Sequence, residues 1–144
     1  MTDPDRALCA TTVSLLRATG VVAAWGLALS GIAFGVLALT GRSLSTTSCM
    51  GFGAVVIIGV LERYLALRLR LDIGLFDSLA DGRVTSLSAL DGALQRLGLR
   101  LAPETPRSLD DRVLGTRQIV QRHGIAVACQ SAMFLLALLT QDLQ

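Results

Sequence analysis

Three blocks of mostly apolar residues divide the chain. The first covers about residues 18–40 and is bracketed by Arg17 and Arg42, the second covers about 46–67, and the third covers about 124–141. Because an α-helix rises about 1.5 Å per residue, about 20 apolar residues cross the roughly 30 Å hydrocarbon core of a bilayer. The pattern therefore predicts three transmembrane helices.

The first block has an alternative reading as a secretory signal peptide, with Arg6 and Arg17 as its basic region. Its apolar run is longer than the roughly 7–15 residues of such a peptide, and Leu39-Thr40-Gly41 is a poor cleavage site. We therefore expect a spanning helix here.

The second block is interrupted by Glu62 and Arg63, so the run from Cys49 to Leu61 before these charges has only 13 residues. A run this short also suits a re-entrant or buried helix. The apolar residues resume directly afterwards, and long arginine side chains can reach the headgroups from near the end of a span. We therefore interpret residues 46–67 as a second span.

The segment of about residues 68–123 is predicted to be helical. Leucines alternate with other residues from Leu65 to Leu75, as in a strand, but Leu, Ala and Arg favour helix, which we expect to end at Asp81-Gly82. A second helix follows, with Ser88 and Asp91 as a weak capping box and Gly98 as its stop. Its apolar seam consists of Leu87, Leu90, Leu94 and Leu97. Two such helices would pair as a hairpin.

A third helix is expected to follow the breakers Pro103 and Pro106. Ser108 caps it, and Asp110 and Asp111 lie at the positive end of its dipole. Nothing interrupts the pattern afterwards, so this helix should continue into the third span as one rod.

The arginines predict the orientation. Nine arginines flank the membrane on one side, against Arg42 alone on the other: Arg6, Arg17, Arg63, Arg68, Arg70, Arg107, Arg112, Arg117 and Arg122. By the positive-inside rule, the N-terminus and residues 62–123 are cytoplasmic, and the C-terminus is periplasmic. The expected fold is an all-α membrane protein, a single integral membrane domain over residues 1–144 with three transmembrane helices and a cytoplasmic helical hairpin between the second and third.

Composition agrees with a membrane protein. Of the 144 residues, 52% are hydrophobic and 17% charged, against about 25% charged in ordinary soluble domains. A net charge of +2 and 4% aromatic residues argue against nucleic-acid binding. All thirteen basic residues are arginine, and the chain has neither lysine nor asparagine. Because lysine and asparagine need A-rich codons, this composition indicates a GC-rich bacterial genome. We therefore expect the membrane to be a bacterial inner membrane.

No pattern indicates catalysis, a cofactor or a metal. His123 is the only histidine, Cys9, Cys49 and Cys129 lack ligand spacing, and no phosphate-binding glycine loop occurs. A lipid-modifying enzyme that uses His123 and Glu62 is the most remote of three alternatives. We expect a protein that is not an enzyme.

The sequence gives clearer signals for contacts between helices than for catalysis. Gly31 and Gly35 form a GxxxG motif, and Gly124, Ala128 and Ala132 repeat small residues at intervals of four. Small residues let two membrane helices approach closely. We treat these five positions as helix-contact candidates. Gln130 and Ser131 lie within the third span and should face another helix, because unpaired polar groups are costly there.

Arg68 and Asp72 are the interface candidates. On a helical wheel they fall amid apolar residues, although an exposed pair on a loosely packed helix would look the same. Together these signals predict a non-enzymatic accessory or scaffolding subunit of a bacterial inner-membrane complex. Its partners are the lipid bilayer and another membrane protein or copies of itself. The alternative is a small homo-oligomeric transporter or pore-forming protein. No charge lies in the middle of a span, where permeation paths usually carry one.

Overall fold

A computed structural model of the protein describes residues 2–84, 86–98 and 108–141. These residues form four α-helices: α1 (Asp3–Thr40), α2 (Thr46–Ala80), α3 (Leu87–Arg96) and α4 (Leu109–Leu139). The helices α1, α2 and α4 are long and apolar enough to cross a membrane. The expectation of an all-helical chain with three such helices is confirmed.

Local capping explains where the helices begin. Asp5 accepts a hydrogen bond from the Thr2 amide at 2.8 Å, which lowers the pKa of that carboxyl below its usual value. Ser45 Oγ accepts from the Ser48 amide before α2. Ser108 and Asp111 bond each other's amides in a reciprocal capping box, so the cap predicted for α4 is confirmed.

The ends of α2 and α3 also match the sequence signals. Gly82 and Gly98 have φ angles of 71° and 67°, the left-handed conformation that glycine adopts without a Cβ clash. Helix α2 ends at Ala80, so the strand-like alternation before it is helical, and α4 is one continuous α-helix of 31 residues.

The cap predicted for α3 is wrong. Its N-cap is Ser86, whose side chain accepts a hydrogen bond from the Ala89 amide, whereas Ser88 lies inside the helix. Ser86 has the extended backbone that an N-cap needs, with φ −145° and ψ 149°. The predicted breakers Pro103 and Pro106 lie outside the described residues.

The chain divides into two compact units, and α1, α2 and α4 contribute residues to both. The first comprises Met1–Arg17 and Leu69–Ile119. In it, Arg112 of α4 donates two hydrogen bonds of 2.7 Å to the Asp91 carboxylate of α3. Its buried apolar side chains come from α1, α2 and α3: Cys9, Val13, Leu16, Leu69, Phe76, Leu79 and Leu90.

The second unit comprises Ala18–Arg68 and Val120–Gln144. One part of its interior is an apolar cluster of Leu29, Ala33, Phe52, Val55 and Ala137. The Phe52 and Phe134 rings pack edge to face with centroids 5.7 Å apart. The other part of the interior is polar and forms the candidate site.

Candidate functional site

Glu62 of α2 and His123 of α4 meet inside the second unit. His123 Nε2 lies 2.7 Å from Glu62 Oε1, and the two side chains are 1% and 0% exposed. The hydrogen bond can run in either direction, depending on the tautomer of the ring. A carboxyl and an imidazole therefore share one hydrogen bond away from water.

Arg63 balances the charge of this pair. Its Nε lies 2.6 Å from Glu62 Oε2 and its Nη2 lies 2.7 Å from Glu62 Oε1, so the guanidinium binds both carboxylate oxygens. The same Nη2 donates to the Ala23 carbonyl of α1. Consecutive residues on a helix do not normally face each other, so Arg63 folds back over its neighbour to make this contact. All three long helices thus meet at Glu62, His123 and Ala23.

Gln130 adds a second polar contact among the same helices. Its Nε2 lies 2.7 Å from Ser30 Oγ, 3.1 Å from the Gly26 carbonyl and 3.3 Å from the Val55 carbonyl. Its Oε1 is buried and has no hydrogen-bond partner. Trp25 Nε1 donates to Ser131 Oγ at 3.1 Å. The expectation that Gln130 and Ser131 face another helix is confirmed.

Two glycines make room for these polar groups. A Cβ at Gly26 would lie 3.0 Å from Glu62 Cδ and 3.1 Å from Gln130 Oε1. A Cβ at Gly59 would collide with Ser30 Oγ and lie 3.0 Å from Gln130 Nε2. Gly26 and Gly59 therefore leave the space that these polar side chains occupy beside the backbone of a neighbouring helix. We call Gly26, Gly59, Glu62, Arg63, His123 and Gln130 the polar junction.

The polar junction fixes how the helices fit together. Burying a charge costs several kcal/mol, and its partners repay this only in good geometry. Sliding one helix by a turn would separate Glu62 from His123 and Gln130 from its three acceptors, leaving buried groups unpaired. The buried polar groups therefore favour one register of the helices over the other registers that apolar contacts alone would allow.

The predicted helix-contact residues lie elsewhere. Gly31, Gly124, Ala128 and Ala132 are exposed, and Gly35 is half-buried. A Cβ at any of the three glycines would meet nothing within 4 Å. None of the five joins the polar junction, and contact of these residues with another chain stays a prediction.

The two interface candidates, Arg68 and Asp72, differ in exposure. Arg68 is exposed, whereas Asp72 is half-buried and accepts a hydrogen bond of 3.0 Å from Thr116 of α4. The Asp72 carboxylate thus contributes to packing of α2 against α4. Binding of a partner by either residue stays a prediction.

Sequence reasoning paired Glu62 with His123 only in the remote alternative of an enzyme, and it missed Arg63 as the second partner of Glu62. The available signal was an acid with an adjacent arginine in one span and a histidine with an adjacent arginine at the start of another.

The junction offers an acid, a base and a guanidinium, but its accessible part is confined to Arg63, whose side chain is 35% exposed. Among the residues that the structure describes, no three His, Cys, Asp or Glu side chains are grouped to hold a metal. Comparison of the chain with known protein families, with curated proteins and with solved structures finds no match.

Proposed function

We propose that the protein is a non-enzymatic accessory or scaffolding subunit of a bacterial inner-membrane complex, and that it binds another membrane helix through the outward faces of α1 and α4. The observation that carries this proposal is the position of Gly31, Gly35, Gly124, Ala128 and Ala132, of which four are exposed and one is half-buried. We call these five residues the outer small faces.

The packing of the helices against each other uses different glycines. A Cβ at Gly51 would lie 2.8 Å from Ala137 Cβ, and Gly26 and Gly59 are in contact with polar side chains of neighbouring helices. The outer small faces are therefore not needed for the internal contacts of the described chain. They leave backbone surface open on two helices.

Open backbone surface is useful for binding another helix in a membrane. Lipid tails are as apolar as leucine, so helix association there depends on close packing and hydrogen bonds. A second helix can come closest where side chains are smallest, as at Gly31 and Gly124. Large exposed residues such as Ile32 and Phe34 beside the small ones would supply the sides of such a contact.

One observation limits where a pore could lie, and another weighs against catalysis. The apolar cluster of Leu29, Ala33, Phe52, Val55 and Ala137 fills the interior beyond the polar junction, so a pore would have to lie between copies of the chain. Acid–base catalysis needs groups that a substrate can reach, and Glu62 and His123 are almost fully buried.

The proposed orientation in the membrane rests on the distribution of the arginines along the chain. Ten of the thirteen lie between Glu62 and Gly124, and the positive-inside rule places that segment in the cytoplasm. The hairpin of α2 and α3 would then face the cytoplasm, and the connection between α1 and α2 would face the periplasm.

Purification of the tagged chain in mild detergent from membranes of its own host tests the proposal. We expect a different membrane protein to copurify, and Gly31→Leu, Gly35→Leu and Ala128→Leu to reduce its recovery. Gly53→Leu is the matched control, because Gly53 also has open space where a Cβ would lie but belongs to neither outer small face. Recovery of the chain only with copies of itself would favour the pore alternative. Equal recovery with every variant would show that these faces contact lipid.

A further inference from the structure

Two arginines of the second unit, Arg68 of α2 and Arg122 of α4, are exposed. Within residues 2–84, 86–98 and 108–141, neither side chain takes part in a hydrogen bond or an ion pair. Asp72, the nearest carboxylate to Arg68 along α2, accepts a hydrogen bond from Thr116 of α4. Four other arginines each bind a carboxylate: Arg17, Arg63, Arg83 and Arg112. Arg68 and Arg122 therefore offer two guanidinium groups to a ligand of negative charge.

The contact between Glu62 and His123 places the two arginines at the same end of the α2–α4 pair. The two helices are antiparallel, because residues earlier in α2 contact residues later in α4. Arg68 follows Glu62 by six residues and Arg122 precedes His123 by one, so both lie beyond this contact in the same direction. At 1.5 Å per residue they are about 8 Å apart along the helix axes, a distance that two long arginine side chains can bridge to one ligand.

Contacts with α1 show which side of the pair each helix face occupies. Arg63, directly after the contact residue of α2, donates to the Ala23 carbonyl of α1. Ser131, directly after Gln130 of α4, accepts a hydrogen bond from Trp25 of α1. Because each residue turns an α-helix by about 100°, the residues directly before the contact residues turn away from α1.

Arg68 and Arg122 lie on the side of the pair that is turned away from α1. Arg122 directly precedes the contact residue of α4, and Leu61 directly precedes that of α2. Arg68 lies seven residues after Leu61, and Cys129 lies seven residues after Arg122, so each pair shares one helix face. Leu61 is 55% exposed, and Cys129 is exposed too. We call Leu61, Arg68, Arg122 and Cys129 the arginine face.

The depth of the arginine face matches the phosphate groups of a bilayer. The second apolar block ends at Leu67, directly before Arg68, and the third begins at Gly124, two residues after Arg122. A bilayer that covers the apolar blocks has its headgroups at this depth. Tyr64, one turn from Arg68, is 59% exposed and adds a hydroxyl group where tyrosine is enriched in membrane proteins.

We propose that the arginine face binds an anionic phospholipid, with the lipid phosphate between Arg68 and Arg122 and the acyl chains along Leu61 and Cys129. Arginine can bind two phosphate oxygens through parallel hydrogen bonds, and basic residues between membrane helices form sites for anionic headgroups. Charge at one end and apolar surface beyond it follow the order of groups in a phospholipid. The outer small faces, proposed above to bind another helix, share no residue with the arginine face.

Binding of two defined lipids to the full-length protein tests this proposal. Phosphatidylglycerol and phosphatidylcholine with the same acyl chains are added to protein in mild detergent, and native mass spectrometry measures how much of each remains bound. We expect one phosphatidylglycerol to be retained in preference to phosphatidylcholine. Arg68→Gln and Arg122→Gln should each weaken phosphatidylglycerol binding about fivefold, the factor expected for one basic residue near an anionic headgroup.

Arg70→Gln is the matched control. Arg70 is exposed on the same helix, but it lies seven residues after Arg63 and therefore on the side of α2 that faces α1. Its substitution removes the same charge and should leave lipid binding unchanged. An equal loss with Arg70→Gln would overturn the proposal, because the preference would then reflect overall charge. Equal retention of the two lipids by the unchanged protein would also overturn it, as would copurification of a protein that only Arg68→Gln and Arg122→Gln release. The comparison of lipids on the unchanged protein decides the matter even if a variant fails to fold.

Discussion

Glu62 joins two helices of the second unit. It is fully buried, and it bonds Arg63 and His123, so that two helices meet at its two carboxylate oxygens. An ion pair of this kind is not a large net source of stability. Removal of Glu62, however, leaves the buried His123 without its hydrogen-bond partner and Arg63 without its carboxylate.

Substitution of Glu62 by leucine should therefore destabilise the bundle. We expect a loss of about 1–3 kcal/mol, because the buried His123 ring is left without its hydrogen-bond partner. Reversible unfolding of the reconstituted protein in a denaturing detergent measures this change. Tyr64→Leu is the control on the same helix: the Tyr64 side chain is 59% exposed, and its replacement should cost no more than about 0.5 kcal/mol. Equal costs for the two variants would mean that the junction is not packed as described.

A second test at the scale of one residue concerns the glycines of α2. Gly59→Ala should destabilise the protein by about 1–3 kcal/mol, since the new Cβ collides with Ser30 Oγ and displaces it from its hydrogen bond with Gln130. Gly53→Ala adds a Cβ in open space and should be neutral or stabilise α2 by up to about 1 kcal/mol. Thermal unfolding measures the two melting temperatures, and we expect that of Gly59→Ala to be the lower. A more stable Gly59→Ala protein would contradict the close approach of α1 to α2.

The bounds of the helices could largely be predicted from the sequence, but the side-chain contacts between the helices could not. Helix lengths and ends follow from apolar runs, glycine stops and the Ser108 cap, which are local signals. The cap of α3 was misplaced by two residues, because both Ser86 and Ser88 can accept an amide hydrogen bond and only the backbone conformation separates them. The junction joins residues 61 positions apart, and periodicity shows which face a residue occupies but not what lies against it.

Helix α3 offers a test at the scale of one element. It has ten residues and one buried side chain, Leu90, so its ion pair with Arg112 of α4 carries much of its attachment. We expect Arg112→Met to lower hydrogen-exchange protection of the α3 amides by about tenfold or more, since a hydrogen bond to a charged group contributes about 1.5–3 kcal/mol. Arg117→Met, at an exposed position of α4, should leave that protection unchanged. Equal protection in all three proteins would show that apolar contacts alone hold α3.

At the scale of the whole molecule, every proposal depends on three crossings of the membrane. Three helices are long and apolar enough for this. Their many exposed leucine, valine and isoleucine side chains are what a lipid environment would cover. If all three cross, the two ends of the chain lie on opposite sides, and the positive-inside rule then predicts the cytoplasmic side for residues 62–123.

Labelling of single cysteines in intact cells tests this topology most directly. In a chain whose three native cysteines are replaced by alanine, Ser43→Cys lies between α1 and α2, and Ala89→Cys lies at an exposed position of α3. A membrane-impermeant thiol reagent should modify the cysteine at position 43 in intact cells, with the outer membrane opened where the host has one. It should modify the cysteine at position 89 only after the inner membrane is broken. Modification at position 89 with the inner membrane intact would contradict both the orientation and the cytoplasmic placement of the segment between the second and third spans.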